Sequence, residues 1–176
     1  MGMLRNLFGK GTTTDVLELL TSQHEEVDEL IERIEKRDGN IRALFTELAD
    51  KLAAHATVEE KLFYPAVMAA DTEKQLREAV EEHLSVKRLL ADLITLNPGE
   101  DAFSAKLKVL KEQVGHHAHK EEEAKLFPKV RQMFTADERA ALGNEVLVMF
   151  EELMQSHPYK NVPAETDTAA RLPSAR

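Results

Sequence analysis

The stretch IRALFTELADKLAAHATVEEKLFYP, residues 41–65, decides the fold. Ile41, Phe45, Leu48, Leu52, His55, Glu59 and Leu62 follow one another in alternating steps of four and three. Such steps keep side chains on one narrow face of a helix, the seam along which near-parallel helices pack at about 20°. The seam is apolar except at its middle, where an imidazole and a carboxylate interrupt it. A carboxylate taken out of water there costs several kcal/mol unless a partner or a metal ion offsets it.

Three further segments repeat the pattern. Leu17, Leu20, His24, Val27, Ile31 and Ile34 form one seam; Leu76, Ala79, His83, Val86, Leu90 and Leu93 form another. Phe103, Leu107, Leu110, Val114, His117, Glu121 and Ala124 form the fourth. Helix signals bracket each seam. Asp15 with Glu18 opens helix one and Asp38-Gly39 closes it, while Asn40 caps helix two, which runs to Pro65. Thr72 with Gln75 opens helix three, Asn97-Pro98-Gly99 closes it, and Asp101 starts helix four, which ends around Pro128. Thr135 with Glu138 opens a fifth helix that stops before His157-Pro158. Its stripe of Leu142, Val146, Met149, Phe150 and Leu153 must either cover the bundle or pair two chains into a homodimer.

No stretch alternates with period two. The expected fold is therefore all-α: an antiparallel up-down four-helix bundle over residues 14–134, with an additional C-terminal helix over 135–157. Residues 1–13 read as a flexible leader, and 158–176, holding three of the six prolines, as a disordered tail.

Composition narrows the function. At 176 residues with 43% hydrophobic and 31% charged residues, the chain has the balance of a single globular domain. A formal charge of −9 repels a phosphate backbone, so no nucleic-acid partner is expected. No apolar run approaches the ~20 residues of a membrane helix. The absence of cysteine removes disulfides, thiolate catalysis, iron–sulfur clusters and cysteine-based zinc sites together. The opening MGMLRNLFGKG lacks a sustained apolar core, so it is not a secretory signal, and a cytoplasmic location is expected.

The chemistry sits in the seams. Residues four apart on a helix lie about 6 Å from each other on one face, so an imidazole can bind one ion while the carboxylate reaches across. Carboxylates from two helices can then bridge ions ~3.5–4 Å apart. Nitrogen and oxygen donors without sulfur suit iron, ahead of zinc and manganese. A seam histidine taken singly is most often a satisfied core residue. Seven histidines in 176 residues give one seam roughly a one-in-four chance of holding one by accident, and four seams together well under ~1%. A ferritin-like site needs Glu-x-x-His on two helices, and no glutamate lies three residues before any seam histidine. A zincin needs His-Glu-x-x-His, which does not occur.

His24 in LLTSQHEEV, His55 to Glu59 followed by EKLFYP, His83 in EEHLSVKRLL, and HHAHKEEEAKLFP together resemble the hemerythrin-like HHE family over about residues 15–130. The resemblance implies two iron ions joined by an oxo or hydroxo bridge. It implies as metal ligands His24, His55, Glu59, His83, His117 and Glu121, the last pair in the register that continues the helix-four seam. Two alternatives stay open in helix four: His119 with Glu123, which matches the distance to Leu126-Phe127, or a carboxylate five residues on, at Glu122. Oxygen-carrying members have a second histidine on helix three where Lys87 stands here, which implies an open coordination position. The implied function is binding or sensing of oxygen, or of another small ligand such as nitric oxide or peroxide, rather than a dedicated enzyme. The alternatives are a di-iron enzyme reducing peroxide or oxidising iron, and a metal-free helical interaction module.

Overall fold

A computed structural model describes residues 14–175. The expected leader, residues 1–13, lies outside the described residues. Helix α1 spans Val16–Glu35, and the Asp15 carboxylate accepts from the backbone N–H of Leu17 at its start. Helix α2, Ile41–Val58, begins under the Asn40 side chain, continues through a π-helical segment at Glu59–Phe63 and ends in the α-turn Tyr64–Ala66. Helix α3 covers Glu73–Thr95. Helix α4, Asp101–Gly115, passes into a π-helical segment of 11 residues, His116–Leu126, and resumes as α over Phe127–Met133. Helix α5, Ala136–Gln155, carries the capping box expected of Thr135 and Glu138.

Two sequence expectations change locally. Thr72 does not cap α3 with its side chain; its hydroxyl donates instead to the carbonyl of Val67 at 2.7 Å, and the Gln75 amide donates to the carbonyl of Glu121. Helix four does not end at Pro128. The proline sits in the first turn after the π segment, where its missing N–H is tolerated.

The first four helices make the antiparallel up-down bundle, and α5 lies against α1 and α2. Its contact with α1 is close at Gly143, where a Cβ would fall 1.9 Å from the carbonyl oxygen of Thr14. Two apolar clusters fill the bundle ends. One packs Ile31, Phe45, Leu48, Leu90, Phe103 and Leu110; the other packs Leu17, Leu20, Phe63, Leu76, Phe127 and Val146. The histidines occupy the slice between them.

The expected disordered tail is corrected. Residues Pro158–Glu165 form a 3-10 helix against α2 and α3, with Val162 buried in the first cluster. His157, in the left-handed region at φ 55°, and the N–H of Tyr159 both donate to Asp50 on α2. Arg88 donates to the carbonyls of Thr166 and Asp167, and Leu172 packs on the second cluster. Composition argued for disorder, but a few apolar anchors and one buried aspartate hold the segment along the bundle.

Candidate metal centre

Four helices each turn one imidazole inward at the same level. The Nε2 atoms of His24 and His55 lie 3.1 Å apart, and those of His83 and His117 lie 3.0 Å apart. All four rings are buried. Glu59 is fully buried between the two pairs: Oε1 is 3.0 Å from His55 Nε2 and Oε2 is 3.1 Å from His83 Nε2. Glu122 lies across from it, with Oε2 3.2 Å from His24 Nε2 and Oε1 3.7 Å from His117 Nε2. Each carboxylate thus offers one oxygen to each histidine pair.

The structure therefore brings together His24, His55, Glu59, His83 and His117, and it places Glu121 elsewhere. Glu121 accepts from Lys125 at 2.7 Å and faces His116, outside the slice. The cause is the π-helical segment, whose ladder steps by five residues rather than four. From His117, five residues lead to Glu122. His119 with Glu123 does form an i, i+4 contact of 3.1 Å, but that ring is half-exposed and its Nε2 meets Asp28. Glu123 instead receives His24 Nδ1 at 2.7 Å.

Behind every ring stands an acceptor for Nδ1. These are Glu123 for His24, Gln23 for His55, Glu60 for His83 and Glu82 for His117, at 2.6–3.0 Å. An acceptor there fixes the proton of a neutral ring on Nδ1 and leaves Nε2 as a bare lone pair facing inward. Two bare Nε2 atoms 3.0 Å apart repel unless a proton or a metal ion lies between them. Glu59 Oε1 and Glu122 Oε2 likewise have no hydrogen-bond donor.

The electrostatics make the same demand. Burial alone would lower the His117 imidazole, but Glu122, Glu59 and Glu82 outweigh it and raise it well above its ordinary value. His24 and His83 rise in the same way against burial, through Glu122 and Glu59 respectively. Burial alone would raise the Glu59 carboxyl, yet His55, His117 and His83 hold it well below the ordinary range. The slice calls for positive charge, and either protons or metal ions can supply it.

Tyr64 completes the cluster. Its hydroxyl donates to Glu122 Oε1 at 2.8 Å and lies 3.3 Å from the Nε2 atoms of both His83 and His117. Burial, with Glu122 and Glu59 beside it, keeps the phenol protonated well above its ordinary range. Tyr64 stands at the end of helix two, and the π segment beginning at Glu59 turns it inward. Lys87 lines the cavity beside the rings, its ammonium shared between Glu60 and Glu165.

The donors fall into two groups able to hold an ion: His24, His55, Glu59 and Glu122, and Glu59, His83 and His117. Glu59 belongs to both. The hemerythrin HHE cation-binding domain model matches residues 15–130. The chain belongs to that family. A solved structure of a hemerythrin HHE cation-binding domain-containing protein from Mycobacterium kansasii is 26% identical, with a TM-score of 0.72 over 84% of this chain and 91% of that one. A curated relative, a DNA nickase from Nostoc, is 24% identical over 133 residues. The alignment takes in 74% of this chain and only 38% of the Nostoc protein's length. No helix among the described residues is long and apolar enough to cross a membrane.

Gln23, Glu60 and Glu82 are the participants that sequence reasoning passes over. Each is a chain neighbour of a seam residue, and that adjacency is the only local signal they give.

Proposed function

We propose that the chain holds a pair of iron ions bridged by Glu59 and Glu122, and that the pair binds or senses a small ligand such as oxygen, nitric oxide or peroxide. The observation that carries this reading is the convergence of imidazole Nε2 atoms, each with its Nδ1 engaged elsewhere, on two buried carboxylates. His24 and His55 would hold one ion, and His83 and His117 the other, with the Tyr64 oxygen beside the second. Two cations would satisfy every inward donor atom at once, including the Glu59 and Glu122 oxygens that have no hydrogen-bond donor.

When bound, the iron pair supplies electron exchange with a small ligand. The chain's own residues do the rest. A cavity of about 30 Å³ adjoins the four rings and is walled by Val27, Leu52, Val86, Leu90 and Val114. That volume admits a molecule of a few atoms; Lys87 also lines it, with its ammonium engaged by Glu60 and Glu165, and the remaining walls are apolar. Tyr64 donates to Glu122 and fixes the orientation of its carboxylate. Glu60, Glu82, Glu123 and Gln23 fix the imidazole tautomers.

The test is iron content and an absorption spectrum of protein purified under air, followed by anaerobic reduction and addition of nitric oxide or oxygen. The expected result is two irons per chain, oxygen-bridged ferric bands in the near ultraviolet, and a spectral change on adding either gas. A folded protein that takes up no iron anaerobically would overturn the reading. Sustained turnover of added peroxide would replace ligand binding with catalysis.

A further inference from the structure

The two halves of the bundle back their histidines by one rule. The residue before the histidine of the first helix serves the ring of the second: Gln23 receives His55 Nδ1 at 2.7 Å, and Glu82 receives His117 Nδ1 at 2.6 Å. The residue after the carboxylate of the second helix serves the ring of the first helix of the other half: Glu60 receives His83 Nδ1 at 3.0 Å, and Glu123 receives His24 Nδ1 at 2.7 Å. Three of these acceptors are carboxylates and one is a neutral amide. Gln23 therefore breaks the correspondence.

A carboxylate behind a metal-binding imidazole makes it a stronger donor, and changing such a partner shifts metal affinity by about 10–100-fold. Both rings of the His83–His117 pair have that support; in the His24–His55 pair only His24 has it. Glu59 gives one oxygen to either side, and Glu122 reaches both pairs, at 3.2 Å from His24 Nε2 and 3.7 Å from His117 Nε2, so the difference in kind between the two positions lies in the backing of their rings. We propose that the two metal positions are unequal, that the His83–His117 position fills first and more tightly, and that Gln23 is the positioning residue that sets the difference. The inference rests on the metal-pair reading above.

Gln23 is also open to direct replacement. It lines a cavity of about 290 Å³ between α1, α2 and α5, together with Glu26, Lys51, Phe150 and Met154. A carboxylate introduced there can be solvated from the cavity side, and Glu matches Gln in shape.

The experiment is calorimetric titration of the full-length, metal-free chain with cobalt(II), read alongside the visible bands of the bound ion. Wild-type protein is expected to fill in two steps separated by about 10–100-fold in affinity. Gln23→Glu should tighten the weaker step by roughly 10-fold and leave the tighter one in place. Glu60→Gln should do the reverse, loosening the tighter step and sparing the weaker. Tyr64 is unchanged in both variants, so a selective movement of the weaker step reports Gln23. If Gln23→Glu fails to fold, Glu60→Gln decides alone. Two equal steps in the wild type, or a variant that moves the wrong step or neither, would overturn the inference while leaving the metal pair standing. A wild-type chain that binds no cobalt would overturn both.

Discussion

The α1–α2 half and the α3–α4 half of the bundle carry the same residues in the same order, and they space them differently. In the first half His55 and Glu59 are four residues apart, and Phe63 follows the histidine by eight. In the second, His117 and Glu122 are five apart, and Phe127 follows by ten. Both nevertheless deliver their carboxylate to one slice, and Phe63 meets Phe127 edge to face at 5.9 Å. The wider turns of the second half absorb the extra residues: its π segment runs for 11 residues against five in the first. Which carboxylate faces the seam is thus set by the hydrogen-bond ladder of the helix, and residue counting identifies it only where the ladder stays α-helical. Tyr64 is the residue the first half adds, between Phe63 and Pro65, and it reaches across to Glu122 of the second.

This comparison can be broken most forcefully at the carboxylates. Glu59→Ala and Glu122→Ala should each abolish the metal pair and cost on the order of 3 kcal/mol, because the imidazoles lose their buried counter-charge. Glu121→Ala should retain full iron and stability within about 0.5 kcal/mol, as expected of a substitution outside the slice. Iron analysis and denaturant melts decide between the two glutamates.

The next effect sharpens an asymmetry of covering, since α5 packs mainly on the first half. Gly143→Ala forces a Cβ to within 1.9 Å of the Thr14 carbonyl oxygen, a backbone atom that must shift. A loss of about 1–3 kcal/mol in equilibrium unfolding is expected, with iron content unchanged.

A third outcome concerns pH in the metal-free chain. His117 is raised above its ordinary 6.5, so its contribution is fully present below pH 6.5 and is lost as pH climbs through the raised value. Glu59 is lowered from 4.5, so its contribution is present above that pH and is lost as pH falls through the lowered value. Metal-free protein should therefore melt highest between these limits and weaken towards alkaline pH. Iron-loaded protein should show the opposite trend on the alkaline side, because metal binding displaces protons. Melting temperatures across the range, with and without iron, check the sign. The smallest effect belongs to the capping box of α5. Glu138 is held below its ordinary value by bonds from Thr135, so Glu138→Gln should remove a slight stabilisation that wild-type protein shows above pH 4.5.

Much of the bundle was legible because its seams keep strict steps of three and four. Those steps located His24, His55, Glu59, His83 and His117 on inward faces, and Asp15, Asn40 and Thr135 marked three helix starts. The helix-four carboxylate was not legible in the same way. HHAHKEEE places a metal-capable side chain at nearly every position, so the sequence permits several registers, and only the backbone ladder selects Glu122. The C-terminal segment escaped for a different reason. Its hold depends on Val162 entering a core built by distant helices and on Asp50, over a hundred residues earlier, receiving His157. Neither contact leaves a local pattern.

The most direct measurement is iron stoichiometry after anaerobic reconstitution of wild-type, Glu121→Gln and Glu122→Gln proteins side by side. The account predicts two irons per chain in the wild type and in Glu121→Gln, with a clear loss in Glu122→Gln. Full iron in Glu122→Gln with loss in Glu121→Gln, or no iron in any of the three, would contradict it.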